Sequence, residues 1–490
     1  MIRALVLLPA LAGCAAFALR RRRRPREVLL VGTALAHAAL VAALAVRRPA
    51  PEPGAWLGQD ALGLVFLSLV SAIFLAAATY AVGYLRREPD RQRPDFEEGL
   101  LFANEPESAF AGCLLLFLAS MTLVTLSRHL GLLWVAVEAT TLASAPLIYF
   151  HRHHRSLEAA WKYLLLCSVG IGLALLGNLF LAVAASGALG SGPPLVLDAL
   201  LPAAPGFRRE WLEASFLLLL VGYGTKMGLA PMHTWLPDAH SESPSLVSAL
   251  LSGALLNCAF LGILRSHQVL AAAGAAEFAA GPLRAFGLLS MALAACFLVR
   301  QPDYKRMLAW SSVEHMGVLA LGVGLGGSAV EGALLHAVNH SLAKAMLFLL
   351  AGNLLASFLS KRVSDVRGAL QVAPASAGLF LAGFLAISGS PPFGPFLSEF
   401  TILRGALAGG HFALAGLLLA LLAVAFVAMA ASVLPMVWGQ APPGRGRARE
   451  PGSSLAPPAL LGLAVLTLGV YVPGPLARVL AQAARLLGAP

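Results

Sequence analysis

The stretch Tyr223-Gly-Thr-Lys-Met-Gly-Leu-Ala-Pro-Met-His-Thr-Trp-Leu-Pro237 breaks an apolar run that is otherwise long enough to enter a membrane. Glycine and proline disturb the helical hydrogen bonds, and lipid cannot satisfy the freed backbone groups, so such a break survives only where protein or water lines it. A second break of the same kind occurs at Ile387-Ser-Gly-Ser-Pro-Pro-Phe-Gly-Pro-Phe-Leu-Ser-Glu399. Two broken helices at corresponding positions of two halves are typical of inverted-repeat transporters, whose ion path lies near the membrane midplane.

The composition around these breaks is that of a protein that lies mostly in lipid. Of the 490 residues, 58% are hydrophobic and only 12% are charged, whereas soluble domains carry about 25% charged residues. An apolar helix of ~20 residues spans the hydrocarbon core of a bilayer. We therefore predict an all-α polytopic membrane protein with about fourteen transmembrane helices. The apolar runs that support this count are 2–19, 28–46, 61–85, 110–126, 130–150, 159–184, 214–229, 246–264, 285–299, 307–325, 329–358, 376–387, 412–434 and 459–472.

The order of these runs predicts one membrane domain, residues 1–490, that contains two repeats. Residues 1–109 hold the first three helices, and residues 459–490 hold the last. Residues 110–265 and 280–438 each contain five runs, and the fourth run of each group is the broken one. We predict that these groups are inverted five-helix repeats, with broken helices at 223–237 and 387–399.

The net charge of +11 follows membrane topology rather than a nucleic-acid surface. If loops are assigned alternately, those on one side carry about twice as many Lys and Arg residues as the others, which is the positive-inside pattern. The basic cluster 20–24 follows the first apolar run, whereas a signal peptide carries its positive charge before that run. We predict a retained first helix, a location in the cell inner membrane and both termini on the periplasmic side.

Cofactor chemistry has no sequence support in this chain. The five cysteines are scattered singly, so no CxxC pair for an iron–sulfur cluster or a nickel–iron site is present. No GxGxxG motif follows a strand pattern. We expect no cofactor, no metal and no catalytic residue here, and hence a non-catalytic membrane subunit.

Seven ionisable residues lie inside or beside the apolar runs, where a charge costs about 2.5–3.5 kcal/mol on insertion scales. A structural ion pair between Glu138 and Lys226 is one interpretation of the first two. We favour a proton switch, because movement of a nearby glutamate changes the tendency of a buried lysine to carry its proton. The full set of proton-translocation candidates is Glu138, Lys226, His233, His336, His340, Lys344 and Glu399.

His336, His340 and Lys344 recur at i, i+4 and i+8, so they form one stripe along a helix. Such a stripe could relay protons through water, or it could be a hydrogen-bonded seam between helices; we favour the relay because its third member is a lysine. We do not expect metal, because the stripe offers no carboxylate or thiolate partner. Glu314 and His315 lie nearer the end of a span, where solvent would satisfy them.

Residues 226–244, Lys-Met-Gly-Leu-Ala-Pro-Met-His-Thr-Trp-Leu-Pro-Asp-Ala-His-Ser-Glu-Ser-Pro, resemble the signature of the antiporter-like subunits of complex I and its relatives. Residues 248–257, 303–313 and 340–345 extend the match, and the resemblance covers about 110–434. Within that family the chain is most similar to the component F subunits of hydrogenase-4, found in formate hydrogenlyase-type complexes. The resemblance implies fourteen helices, two inverted repeats and a water-filled polar axis along the membrane plane.

The resemblance also implies roles for single residues. Glu138 matches the glutamate of the family's fifth helix, Lys226 the lysine of the broken seventh, and Glu399 the charged position of the broken twelfth. Asn257 departs from the pattern, because many members carry a lysine there and asparagine cannot hold a proton as lysine does. We therefore expect the histidine stripe to take the central role, with Asn257 and Lys305 as additional relay positions.

These features predict a proton-translocating antiporter-like subunit of a membrane-bound hydrogenase or NADH:quinone oxidoreductase-like complex. Redox chemistry on partner subunits would drive the protons, so iron–sulfur, nickel–iron or quinone cofactors are expected on those subunits. Two alternatives stay open: a subunit of a multisubunit sodium/proton antiporter, and a proton-conducting membrane partner of an inorganic-carbon-uptake complex. The expected partners are other membrane and peripheral subunits, the lipid bilayer, and protons or sodium, but no nucleic acid.

Overall fold

The computed structural model describes residues 1–20, 22–49, 52–88, 93–94, 99 and 101–489, with only the backbone described at 93–94. A π-helical turn, Leu251–Leu255, joins the helices Ser245–Leu250 and Leu256–Ala272, and a 3₁₀ turn, Ala204–Gly206, follows the helix Leu197–Ala203. Two short strands, β1 (Arg93–Pro94) and β2 (Leu101–Phe102), pair antiparallel. The helices are α1 Ile2–Ala18, α2 Arg23–Arg47, α3 Ala61–Leu85, α4 Glu107–Leu126, α5 Leu130–Ile148, α6 His154–Leu189, α7 Leu197–Ala203, α8 Arg209–Met227, α9 Trp235–Glu242, α10 Ser245–Leu250, α11 Leu256–Ala272, α12 Ala276–Leu298, α13 Tyr304–Leu325, α14 Ser328–Phe358, α15 Ala369–Val372, α16 Pro374–Ile387, α17 Gly394–Ala408, α18 Phe412–Trp438, α19 Gly452–Val470 and α20 Gly474–Arg485.

The long apolar helices confirm a multi-pass membrane protein. Among the described residues, eleven helical segments are long and apolar enough to cross a membrane, with α10 to α11 taken as one segment. The other three apolar runs fall on α1 and α16, which have 17 and 14 residues, and on α8, which carries charges near both ends. Each of the fourteen runs therefore lies largely on a helix. The number of membrane spans, the two inverted repeats and the division of the domain stay predictions, and residues 21, 50–51, 89–92, 95–98, 100 and 490 of that domain lie outside the described part.

Both predicted breaks are present, and each is shorter than the sequence suggested. α8 continues past Lys226, and Gly228 ends it with a φ of +83°, a backbone conformation that residues with a Cβ rarely adopt. The chain becomes helical again at Trp235, where α9 begins. In the second break, residues 388–393 separate α16 from α17. Each break therefore leaves a helix end in the interior, close to Lys226 in one case and to Glu399 in the other.

Three helical segments form the centre of the molecule: α10–α11, α13 and α14. Nearly all of their residues are buried, including the polar ones. α14 packs against α10, α13, α16, α17 and α19. A helix that is covered on every side needs no amphipathic pattern, so its polar residues face protein instead of lipid. The stripe on α14 is therefore an interior feature.

Glycines allow close approach of helices beside this centre. Gly287 on α12 and Gly317 on α13 face each other, and a Cβ on Gly287 would lie 2.7 Å from the Gly317 carbonyl oxygen. Small residues permit such contacts where lipid supplies no hydrophobic drive between helices. α13 is therefore enclosed by α12 on one side and by α14 on another.

Candidate functional site

In the first half of the chain a threonine hydroxyl joins the predicted glutamate to the predicted lysine. Lys226 Nζ donates to Thr141 Oγ1 at 2.7 Å and to the Tyr163 hydroxyl at 2.6 Å. Thr141 Oγ1 donates to Glu138 Oε2 at 3.3 Å. The structure thus connects the two charges through Thr141, and not by the direct ion pair that was one interpretation of the sequence. Thr141 lies three residues after Glu138 on α5. Its position between Glu138 and Lys226 becomes evident only when α8 is packed in the fold.

Hydroxyl groups from α5 and α6 complete the surroundings of Lys226, which is fully buried. The Tyr163 hydroxyl also shares a hydrogen bond of 2.6 Å with Ser144 Oγ, and the Tyr163 ring centroid lies 4.4 Å from Lys226 Nζ. Glu138 Oε1 accepts from Ser168 Oγ at 2.9 Å. A hydroxyl both donates and accepts, so this arrangement allows a proton to pass between neighbouring groups. The sequence analysis missed these hydroxyls, because serines, threonines and tyrosines within apolar runs carry no charge signal.

In the second half, α13, α14 and α17 bring together His315, His336, Ser398 and Glu399, which we call the His–Glu cluster. His315 Nδ1 and His336 Nε2 lie 3.0 Å apart, and His336 Nδ1 lies 2.9 Å from Ser398 Oγ. His315 Nδ1 lies 3.9 Å from Glu399 Oε1. Two histidines and a carboxylate from three helices therefore converge on one point in the interior.

The expectation that solvent satisfies Glu314 and His315 was wrong. Their exposed fractions are 3% and 1%. Both residues lie near the middle of α13 rather than at its end, and α12, α14 and α17 cover that helix. The sequence already indicated this burial, because a Glu-His pair well inside an apolar run cannot reach water along its own helix.

The remainder of the α14 stripe lies beside this cluster. The His340 ring centroid is 5.2 Å from that of His315, and within the described residues neither ring nitrogen of His340 has a hydrogen-bond partner. Lys344 Nζ donates to the Leu308 carbonyl oxygen at 2.8 Å. The Glu314 carboxylate on α13 lies within Coulombic reach of Lys344. The stripe therefore contains one group with no fixed partner, followed by a lysine that donates to a backbone carbonyl.

Asn257 links the α11 side of the centre to the stripe. Its Nδ2 donates to Ser341 Oγ at 2.6 Å and to the Gly253 carbonyl oxygen at 3.0 Å. Gly253 belongs to the π-helical turn, and such turns widen a helix locally and frequently occur at functional sites. Asn257 therefore reaches the stripe at Ser341, between His340 and Lys344, but supplies a neutral amide there.

Lys305 lies away from this line, in a cavity of about 260 Å³ bordered by α3, α9, α10, α13 and α14. Its Nζ donates to the carbonyl oxygens of Ser241 and Ser243, at 3.0 and 2.6 Å. The same cavity contains the buried ion pair of Glu242 Oε1 with Lys361 Nζ, 2.9 Å apart. The structure thus groups Lys305 with these residues at the cavity.

His240 lies between the cavity and the stripe. It is fully buried on α9, and both Lys305 and Lys344 lie within Coulombic reach of its ring. The ring stacks on Phe348 with a centroid separation of 4.9 Å. The sequence analysis quoted His240 only as part of the family signature and missed its position as the group between the two lysines.

His233 has a different environment from the other candidates. It follows the first break, and its ring packs edge-on against Trp310 with a centroid separation of 5.1 Å. Trp310 also stacks on Phe297 at 4.4 Å. His233 therefore packs on an aromatic ring, and the described contacts do not join it to Lys226.

Outside the spans, an ion pair anchors the beginning of α3. Asp60 accepts a hydrogen bond from the Gly63 N–H as the N-cap residue, and it receives two bonds from Arg265 at 2.6 and 2.8 Å. Burial raises the pKa of Asp60, but the attraction and hydrogen bonds of Arg265 outweigh it, so the pKa lies below its ordinary value. This pair fixes α3 against α11 and has no contact with the candidate relay.

The comparison with known proteins agrees with this architecture. The model of a family described as NADH:quinone oxidoreductase/Mrp antiporter, TM, matches residues 127–425. The hydrogenase-4 component F homolog of Methylacidiphilum infernorum is 36% identical over 86% of this chain and 86% of its own. A chain of respiratory complex I from Thermus thermophilus is 26% identical with a TM-score of 0.81, and all of both chains is covered.

A third similarity concerns the fold alone. A chain of the membrane-bound sulfane sulfur reductase, an archaeal respiratory membrane complex, superposes with a TM-score of 0.86 at 20% identity, covering 100% of this chain and 98% of that one. The family match spans more than half of the chain, and the hydrogenase-4 relative is 36% identical over 86% of the chain. Membership of the family is therefore supported by sequence as well as by fold. The chain belongs to the family of antiporter-like membrane subunits found in NADH:quinone oxidoreductases, hydrogenase-4 and Mrp antiporters.

Proposed function

We propose that this chain is the proton-translocating subunit of a membrane-bound hydrogenase or NADH:quinone oxidoreductase-like complex. The observation that carries the proposal is the row of ionisable and hydroxyl groups, most of them buried, along the interior of an otherwise apolar protein. Glu138, Thr141 and Lys226 form its first part, and Lys344, the His340 ring and the His–Glu cluster form its last part. Groups that cost several kcal/mol to keep in a membrane interior are typical of ion paths.

A proton path follows from these contacts. Lys226 exchanges its proton with neighbouring hydroxyls when Glu138 and Thr141 change their contact with it. His240 and the cavity at Lys305 supply the α14 stripe from one surface. The stripe passes protons through His340 to the His–Glu cluster, and Glu399 releases them. Moving one charge through 100 mV takes about 2.3 kcal/mol, so the driving energy comes from partner subunits.

The sodium/proton exchange alternative fits the second half of the row less well. Sodium is a hard cation that prefers oxygen ligands, as the other s-block cations do. Here the carboxylate of Glu399 faces an imidazole nitrogen, His315 Nδ1, at 3.9 Å. Imidazoles readily carry protons near neutral pH, so we propose protons as the transported ion.

Partners and location complete the proposal. Relatives of this chain are subunits of multisubunit membrane complexes. We infer that this chain assembles with membrane and peripheral subunits that carry the iron–sulfur, nickel–iron or quinone cofactors. The charge asymmetry of the loops supports an inner-membrane location with both termini in the periplasm.

The first test is to isolate the chain from its own membranes in mild detergent and to identify co-purifying proteins by mass spectrometry. We expect a nickel–iron hydrogenase-like or dehydrogenase-like subunit with iron–sulfur partners. Recovery of small antiporter subunits alone, with no metalloprotein, would refute the redox coupling and favour sodium/proton exchange.

The second test measures proton transfer by the isolated complex in liposomes with an internal pH-sensitive dye. Lys226→Ala and Glu399→Gln should each slow proton uptake at least about tenfold, which corresponds to about 1.4 kcal/mol. Lys162→Gln is the matched control, because Lys162 is a partly exposed lysine that pairs with Glu158 and Asp238 at the surface. Equal proton transfer by wild type and both interior variants would contradict the proposed path.

A further inference from the structure

We propose that His315, His336 and Glu399 form a binding site for a divalent transition-metal cation such as Zn²⁺. One ligand atom from each of the three residues lies within 4.8 Å of the other two. Tetrahedral Zn²⁺ with ligand bonds of about 2.0–2.1 Å holds its ligand atoms about 3.3 Å apart. The separations of 3.0 Å between the two imidazoles and of 3.9 Å between His315 Nδ1 and Glu399 Oε1 lie on either side of that value. The separation between His336 and Glu399 is at most 4.8 Å, so rotation of the Glu399 side chain toward the two imidazoles would complete the site.

The surroundings of His336 suit a metal ligand. Its Nδ1 lies 2.9 Å from Ser398 Oγ, so a proton on Nδ1 is held by that hydroxyl while the Nε2 lone pair points to His315. Metal-binding histidines commonly have their second nitrogen hydrogen-bonded in this way, because the bond fixes the tautomer and the ring orientation. Ser398 supplies this hydroxyl from near the beginning of α17.

Glu399 provides an independent indication of a ligand. In the described part of the chain its Oε1 is buried without a hydrogen-bond partner. A buried carboxylate oxygen with no donor is costly, and a cation at this point would satisfy it. Gly389 in the second break makes room for this carboxylate, because a Cβ there would collide with Glu399 Oε2. The second break thus creates the space in which the carboxylate meets the two histidines.

The donor set selects the class of ion. Two imidazole nitrogens with one carboxylate suit Zn²⁺, Fe²⁺, Ni²⁺ or Cu²⁺, whereas Na⁺, Mg²⁺ and Ca²⁺ prefer oxygen ligands. Three protein ligands leave a fourth position open, and the His340 ring lies beside it, with its centroid 5.2 Å from that of His315. We did not expect metal from the sequence, because the stripe on α14 offers no carboxylate or thiolate; the fold brings the carboxylate of Glu399 from α17 and the imidazole of His315 from α13.

A bound metal uses the lone pairs that the proposed proton path also needs. Metal ligands must be deprotonated, so a cation in the His–Glu cluster would stop proton release through Glu399. This consequence rests on the proposed function, but the binding does not. The two are distinguished by measuring binding directly: a chain that binds zinc here, in a complex that moves no protons even when it is free of metal, would refute the proton path and leave the metal site intact.

The test uses the full-length chain, treated with a chelator and then titrated with Zn²⁺ in competition with a chromophoric chelator. We expect about one high-affinity Zn²⁺ per chain, and a visible Co²⁺ absorption typical of four-coordinate nitrogen and oxygen ligation. Glu399→Gln and His336→Gln should each weaken zinc binding at least tenfold and change the Co²⁺ spectrum. His267→Gln is the control, because His267 is buried on α11 outside the cluster.

Each variant is first compared with wild type for elution and thermal unfolding in detergent, and His315→Gln replaces any that is misfolded. Loss of the high-affinity zinc site in the cluster variants alone would support the proposal. Unchanged zinc affinity and Co²⁺ spectrum in folded cluster variants, or an equal loss in His267→Gln, would overturn it.

Discussion

The valine substitution of Thr141 tests the connection between Glu138 and Lys226 most directly. Valine keeps the shape of threonine and removes only the hydroxyl that accepts from Lys226 Nζ at 2.7 Å and donates to Glu138 Oε2 at 3.3 Å. Lys226 would keep its bond to Tyr163, and Glu138 its bond from Ser168. Because hydrogen bonds to charged groups contribute about 1.5–3 kcal/mol each, we expect a loss of that order in the coupling between the two charges.

This energy predicts the size of the kinetic effect. A change of 1.4 kcal/mol corresponds to a factor of ten in rate, so Thr141→Val should slow proton transfer by about ten- to a hundredfold. The assay is dye-detected proton uptake by liposomes containing the isolated complex, with redox turnover of the partner subunits measured in parallel. We expect turnover to continue with little proton transfer, or both to slow together where the two are tightly coupled.

The neighbouring Thr140 provides the control. It is fully buried on the same helix, but its hydroxyl donates only to the backbone carbonyl of Val137, at 2.6 Å. Thr140→Val therefore removes a buried hydroxyl of the same kind without touching either charge. Wild-type proton transfer in Thr141→Val, or an equal loss in Thr140→Val, would refute the bridging role of Thr141.

Two further outcomes concern stability and use thermal unfolding in detergent. The pKa of Asp60 is lowered in the folded protein, so its pair with Arg265 stabilises the fold above about pH 4, and that contribution is lost as pH falls through the folded pKa. Asp60→Asn should therefore be less stable than wild type at pH 7 and should lack this acid-dependent loss of stability. A variant with the pH profile of wild type would contradict the stabilising role of this ion pair. A Cβ on Gly394 would lie 2.6 Å from Asn339 Cγ, so Gly394→Ala should destabilise the folded protein by about 1–3 kcal/mol. Gly378 has open space around it, so Gly378→Ala should leave the stability unchanged. Equal stability of the two variants would be inconsistent with this packing.

The helices and their interruptions could be predicted from the sequence because backbone groups in lipid must form their hydrogen bonds within the protein. Every span must satisfy its own backbone, so long apolar runs become helices and the Gly/Pro stretches at 223–237 and 387–399 become breaks. The lengths of the breaks were overestimated, because a helix continues until a residue such as Gly228 adopts a positive φ. Local sequence indicates that a helix must stop, but the hydrogen bonds of the last turn determine where.

The partners within the site could not be predicted in the same way, because they come from different helices. Thr141 and Tyr163 lie on α5 and α6 but meet at Lys226 on α8. His315 and Glu399 likewise meet His336 from two other helices. Charge identified the candidate lysines, carboxylates and histidines, whereas the neutral hydroxyls that connect them gave no signal until the helices were packed together.

The two halves of the interior use different chemistry, and the link between them is neutral. The first half holds a lysine among hydroxyls, whereas the second half holds histidines beside a carboxylate. Between them, Asn257 donates to Ser341, and neither side chain keeps an excess proton near neutral pH. An excess proton can therefore reside at Lys226 or on the α14 stripe, whereas the Asn257–Ser341 pair holds none. Such an arrangement lets each half load its own proton while charge on one side still acts electrostatically on the other, since the buried interior screens it weakly. On this reasoning, Asn257→Lys would add an ionisable amine beside Ser341 and hinder proton loading on the α14 stripe. We therefore expect slower dye-detected proton uptake in the liposome assay, and wild-type uptake by this variant would contradict the role of a neutral link.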